Sequence, residues 1–109
     1  MNIDFKNNKL KKTLTNASEI KKHYGTMAKK VSLRMEQFYA APFLADIIDN
    51  PSANCHALTG GRAGQWAVNI SANYRIIFEI NQSMPVNKDG SINTLKITDI
   101  MIIEITDYH

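Results

Sequence analysis

Cysteine is nearly absent from this 109-residue chain: Cys55 stands alone, which excludes an intramolecular disulfide and any multi-cysteine zinc site. Also missing is an apolar run near the roughly 20 residues that span a bilayer, although 44% of the residues are hydrophobic. The start, MNIDFKNNK, has no apolar stretch of signal-peptide type, so the expectation is a cytoplasmic protein without membrane association. Internal repeats and low-complexity tracts are lacking too. The one glycine-rich turn, Gly60, Gly61, Arg62, Ala63 and Gly64, lacks the Gly-Lys-Ser/Thr ending of a P-loop. Cys55 and His56 are adjacent but have no second ligand pair, so neither a metal nor another cofactor is expected.

What is present fits one domain over residues 1–109, long enough to bury a hydrophobic core. The net charge of +3 is unevenly spread. Through Arg34, nine basic residues face two acidic ones, giving +7; the remainder holds four basic against eight acidic, giving −4. A basic half can meet a polyanion such as RNA, meet an acidic protein partner, or simply be a solvated helix surface.

Hydrophobic periodicity supplies the elements. Ile3 and Phe5 alternate with polar neighbours as in a short strand, and a short helix is expected over residues 9–14. Asn16 stands three residues before Glu19, a variant of the capping box. Ile20, Tyr24, Met27, Val31, Met35 and Phe38 then recur at steps of three and four, predicting a long helix, weakened at Gly25, whose stripe packs on a sheet. Pro42 suits the first turn of another helix, and Asp49, Asn50 and Pro51 stop it. Residues 55–58 are expected to be extended.

Two strands follow. Trp66, Val68 and Ile70 share one parity, and Tyr74, Ile76, Phe78 and Ile80 share another, with a tight turn at Ser71, Ala72 and Asn73. A left-handed Asn73 would serve that turn. Arg75 points to the opposite face, beside Ile77 and Glu79. After an exposed loop, the Ile-rich closing segment predicts a central strand over residues 100–103. Its alternation sets Ile103, Ile105, Asp107 and His109 on one face, with Asp107 and His109 roughly 7 Å apart.

A His and an Asp at a strand end, with arginines on a neighbouring hairpin, have the makings of an acid-base site with phosphate-binding groups. Histidine exchanges protons near neutral pH, while arginine stays charged and grips phosphate bidentately. In RNA cleavage without metal, the ribose 2′-hydroxyl attacks the adjacent phosphorus and the 5′-oxygen leaves. One group removes a proton, another donates one, and cations stabilise the equatorial charge. The carboxylates at its own terminus and at Asp107 favour the imidazolium form of His109, which suits it to proton donation. Arg62 belongs either to a phosphate-binding turn or to a plain solvated one.

Taken together, HALTGGRAGQWAVNISANYRIIFEI and the closing IIEITDYH resemble the HigB toxins, the host-inhibition (killer) proteins of the RelE superfamily. The resemblance runs along nearly the whole chain, including IDFKNNKLKK and GTMAKKVSLRMEQFYAAPFLADI. It implies an α+β, RelE-like microbial-ribonuclease fold: a curved antiparallel sheet with N-terminal helices packed on one face. It also implies a type II toxin that cleaves messenger RNA in the ribosomal A site, held in check by a HigA-type antitoxin carrying a helix-turn-helix domain. Arg75 matches the arginine of an Asn-aromatic-Arg strand motif that stabilises the phosphate. Asp107, Tyr108 and His109 match a terminal Asp-Tyr-His that contributes proton transfer and substrate positioning, and Arg62 matches a basic turn residue.

One departure stands out. Many relatives read Leu-Lys-Gly-Asp-Arg where this chain has Leu58, Thr59, Gly60, Gly61 and Arg62. Thr59 therefore lines the expected phosphate site without a charge. Two functions follow from this pattern: a ribosome-dependent mRNA interferase, or a catalytically weak or inactive protein of the same fold that engages antitoxin or RNA.

Overall fold

The computed structural model describes residues 1–107; Tyr108 and His109 lie outside the described residues. Nine elements follow in the order β1 (Asn2–Phe5), α1 (Asn8–Leu14), α2 (Ala17–Tyr24), α3 (Ala28–Ala40), α4 (Leu44–Ile48), β2 (His56–Ala57), β3 (Gln65–Asn69), β4 (Tyr74–Ile80) and β5 (Asp99–Asp107). The architecture is α+β. A five-stranded sheet of order β1-β5-β4-β3-β2 carries the helices on one face. Its pairs are antiparallel except at β1, which runs parallel to β5.

Helix starts follow the polar residues that precede them. The Asn7 side-chain oxygen accepts from Leu10 N at 2.8 Å, and that of Asn16 accepts from Glu19 N at 2.8 Å, each satisfying an amide left open at a helix start. The expected long helix is two helices. Gly25 takes a left-handed φ of 53°, its N–H returns to Lys21 O, and a short 3-10 turn intervenes before α3. Pro42 stands two residues ahead of α4 rather than within it, and Asp46 closes that start by accepting from Phe43 N at 3.2 Å.

The stripe of α2 and α3 is buried against the sheet. Ile20, Val31, Met35 and Phe38 meet Trp66, Val68, Ile76, Phe78, Ile100 and Ile102 in one core. Phe38 packs edge-on to Phe78 at 5.2 Å, and Trp66 lies nearly parallel to Phe78 at 6.4 Å, arrangements that suit the ring quadrupoles. The opposite face is not wholly polar. Ala67 and Ile77 are fully buried there under Leu58 and Ile103, a second small cluster.

The hairpin turn forms where expected but by another device. Ile70 N donates to Tyr74 O at 2.9 Å, and the Ser71 hydroxyl accepts from Tyr74 N at 3.2 Å. Asn73 is not left-handed; among the described non-glycine residues only Asn54 is, with φ 45°.

The alternation expected for the last strand breaks in the middle. Ile77 lies opposite Glu104 and Phe78 opposite Ile102, so Ile103 is an extra residue, a β-bulge. Beyond it the faces exchange. Ile103 joins the small cluster, Ile105 packs on the main core opposite Ile76, and Asp107 lies opposite Tyr74. Hence Ile103 does not share a face with Ile105 and Asp107, because an odd insertion in a period-2 element inverts everything after it. Among the described residues no helix is long and apolar enough to cross a membrane.

Candidate active site

The chemistry-bearing residues gather on the sheet face away from the helices, at the end where β2, β3, β4 and β5 lie side by side. Arg75 on β4 has Asn69 opposite it on β3 and Thr106 opposite it on β5. Directly paired residues project to the same face, so these three share the open one. Asp107 belongs by register to the other face, beside Tyr74. Arg75 and Asp107 are thus one strand apart and one residue out of phase.

His56 was passed over in the sequence because its only neighbour of note, Cys55, makes no ligand pair with it. In the fold it lies opposite Ala67 on β2, on the face of Arg75. Its Nδ1 is 2.7 Å from Asn54 O, and its Nε2 is 3.5 Å from Arg75 Nη1. A carbonyl can only accept, so Nδ1 carries the proton, and guanidinium can only donate, so Nε2 offers its lone pair. The left-handed Asn54 aims that carbonyl. No local sequence signal gives this, because residues 56 and 75 meet only through the β2–β3–β4 pairing.

Beside His56 the turn closes a cleft of about 220 Å³ lined by His56, Leu58, Thr59, Gly61 and Arg62. Gly60 and Gly64 both have positive φ, 64° and 93°, which explains why this turn is glycine-rich. Thr59 precedes its 3-10 turn without a side-chain capping hydrogen bond and is exposed. Arg62 is engaged: Nη1 donates to Gln65 Oε1 at 2.8 Å and Nη2 to Glu104 Oε1 at 2.6 Å. The bulge puts Glu104 within that reach. Both members are about 42% exposed, so the pair contributes under about 1 kcal/mol and yields readily to a competing anion.

Behind the site lies a second residue that sequence reasoning misplaced. Arg34, counted among the basic residues of a helix surface, is 3% exposed. Its Nε donates to Asn69 O at 2.7 Å, its Nη2 to Ser52 O at 2.7 Å and its Nη1 to Gln37 Oε1 at 3.0 Å. Burial lowers its pKa from the ordinary value. Arg34 ties the end of β3 to the turn that leads into His56. The eight lysines of the first 30 residues are all exposed.

Among the described residues, no three His, Cys, Asp or Glu side chains gather as metal ligands. Of the residues singled out in the sequence, the structure brings Thr59, Arg62 and Arg75 to one region of the open face and leaves Asp107 at the same sheet end on the other face. Tyr108 and His109 lie outside the described residues.

The geometry can be set beside known proteins. No family model matches the chain, and no curated protein matches it in sequence. Solved structures do. A YoeB/ParE toxin from Agrobacterium tumefaciens superposes over 100% of both chains with a TM-score of 0.50 and 16% identity. A YoeB-YefM complex from Staphylococcus aureus matches 100% of this chain and 97% of its own with a TM-score of 0.55 and 14% identity. The fold is that of RelE-like toxins. At such identities the likeness is one of fold, and function has to be argued from the site.

Proposed function

We propose that this chain is a HigB-like toxin of the RelE superfamily: a cytoplasmic, single-domain mRNA endoribonuclease acting on message in the ribosomal A site. The observation that carries this reading is the lone pair of His56 Nε2 held 3.5 Å from the Arg75 guanidinium on an open sheet face. That is the arrangement a 2′-hydroxyl attack needs. His56 takes the 2′-hydroxyl proton as the oxygen attacks phosphorus, and Arg75 holds the equatorial oxygens as their charge grows. His109 delivers a proton to the departing 5′-oxygen, with Asp107 and Tyr108 positioning the substrate. The proton taken equals the proton given, so the step is closed without a metal ion or cofactor. Thr59 and Arg62 line the cleft that receives a flanking phosphate, where Arg62 exchanges Glu104 for it. A HigA-type helix-turn-helix antitoxin is the expected partner, and the ribosome supplies the substrate.

A second reading is favoured by one observation: among the described residues, the only cation lining the cleft beside His56, Arg62, is held by Glu104, and Thr59 adds none. On that reading the chain is a weak or inactive RelE-fold protein that binds antitoxin or RNA. Induced expression of the native chain beside Arg75→Ala, His56→Ala and His109→Ala, with cleavage sites mapped, separates the two. Cleavage that disappears in the folded variants supports the enzyme. Growth arrest without cleavage by the native chain supports the binding protein and overturns the enzyme.

A further inference from the structure

Arg62 is gripped by two acceptors drawn from separate strands. Gln65 opens β3, and Glu104 lies on β5 just beyond the bulge, opposite Ile77. Their Oε1 atoms take the two terminal nitrogens of the guanidinium, Gln65 from Nη1 at 2.8 Å and Glu104 from Nη2 at 2.6 Å. The two oxygens thus form a slot for a pair of N–H donors carried by neighbouring nitrogens on one carbon. Among the described residues neither side chain has another hydrogen-bond or ion-pair partner.

The terminal nitrogens of Arg62 cannot fill this slot and grip a phosphate in the cleft at once. When Arg62 turns to the phosphate, a carboxylate and an amide oxygen are left at that end of the cleft without donors. The guanidinium and the carboxylate are each about 42% exposed, so a ligand can reach them. Guanine carries the donor pair that refills the slot: its N1–H and its N2 amino group sit on neighbouring nitrogens of the C2 carbon, as in a guanidinium. Adenine and cytosine set an amino donor beside a ring-nitrogen acceptor, and uracil sets one donor between two carbonyls. Each of these would turn a lone pair toward the Glu104 carboxylate.

We propose that Gln65 and Glu104 read a guanine beside the cleaved phosphate, the base taking the place that Arg62 holds in the free protein; this rests on the ribonuclease reading above. The charge on Glu104 strengthens the bonds it accepts. Ala57 and Leu58 line the same cleft and give the base an apolar wall.

The test is binding of the full chain to 2′-O-methyl pentanucleotides, which cannot be cleaved, with guanine, inosine or adenine at the centre of a uridine strand. Guanine should bind at least about 10-fold more tightly than adenine. Inosine, which lacks only the N2 amino group, should lose most of that advantage with the protein untouched. Glu104→Gln, altered at a half-exposed position, should keep its melting temperature and bring guanine and adenine to near-equal affinity, while freeing Arg62 to tighten binding of both. The slot is overturned if guanine and adenine bind the native chain equally, if Glu104→Gln keeps the preference, if free guanosine monophosphate binds as tightly as the strand, or if no strand binds at millimolar concentration. Cleavage of the unmodified strands on ribosomes is followed in parallel. Guanine preference in binding without cleavage supports the slot and sinks the ribonuclease; cleavage with equal binding of every base does the reverse.

Discussion

His56 Nε2 stands 3.5 Å from Arg75 Nη1 although the two residues are 19 apart in the chain. The Asn54 carbonyl on the other ring nitrogen fixes the tautomer, so the histidine meets the arginine as an acceptor. An imidazole lone pair and a guanidinium are thereby set side by side on one sheet face.

That relationship gives the first prediction. His56→Asn retains an N–H donor for the Asn54 carbonyl and removes the basic nitrogen. Single-turnover cleavage should slow on the order of 100-fold or more, with the melting temperature unchanged. An unchanged rate would remove His56 from the mechanism.

Thr59 provides a gain-of-function test. It is exposed and lines the cleft with His56 and Arg62, so Thr59→Lys adds a cation at little structural cost. Cleavage should rise, by up to on the order of 100-fold, the typical cost of losing one transition-state donor. A flat response in a rate assay would show that the turn does not touch the reacting phosphate.

Arg34 should matter to stability rather than to chemistry directly. Arg34→Met leaves the carbonyls of Asn69 and Ser52 without their donor and should lower unfolding free energy by about 3 kcal/mol in urea titrations. Arg34→Lys should recover only part, since an ammonium cannot span three acceptors in the fork geometry of a guanidinium. Equal stability of native chain and Arg34→Met would contradict the tie between β3 and the turn before His56.

Cys55 is buried, which pushes its thiol pKa up to about 12 from 9.0. The native thiol should resist a disulfide reagent at pH 8 and react only on unfolding. The sign of the linkage is definite. As pH rises above 9.0 the unfolded chain releases a proton that the folded chain keeps, so stability falls between pH 9.0 and about 12. Urea midpoints at pH 8 and 10 should show this drop in the native chain and a smaller one in Cys55→Ala.

Local rules fixed much of this protein without help from the fold. Asn16 and the stripe from Ile20 to Phe38 mark a helical stretch, because capping and 3.6-residue periodicity are short-range effects. The parity of Trp66, Val68, Ile76 and Phe78 likewise marked the buried side of the hairpin. Even the orientation of Arg75, opposite the aromatic anchors, needs nothing beyond alternation along one strand.

What sequence alone could not decide are relations between residues far apart in the chain. The bulge at Ile103 depends on how β5 settles against β4, and it alone moves Asp107 to the other face and Glu104 to Arg62. The burial of Arg34 depends on carbonyls 18 and 35 residues away. The pairing of His56 with Arg75 requires three strands in register. Periodicity reports which side of an element is apolar; only the closed tertiary structure determines which polar groups then meet, because hydrogen bonds and ion pairs act over a few ångströms whatever the separation along the chain.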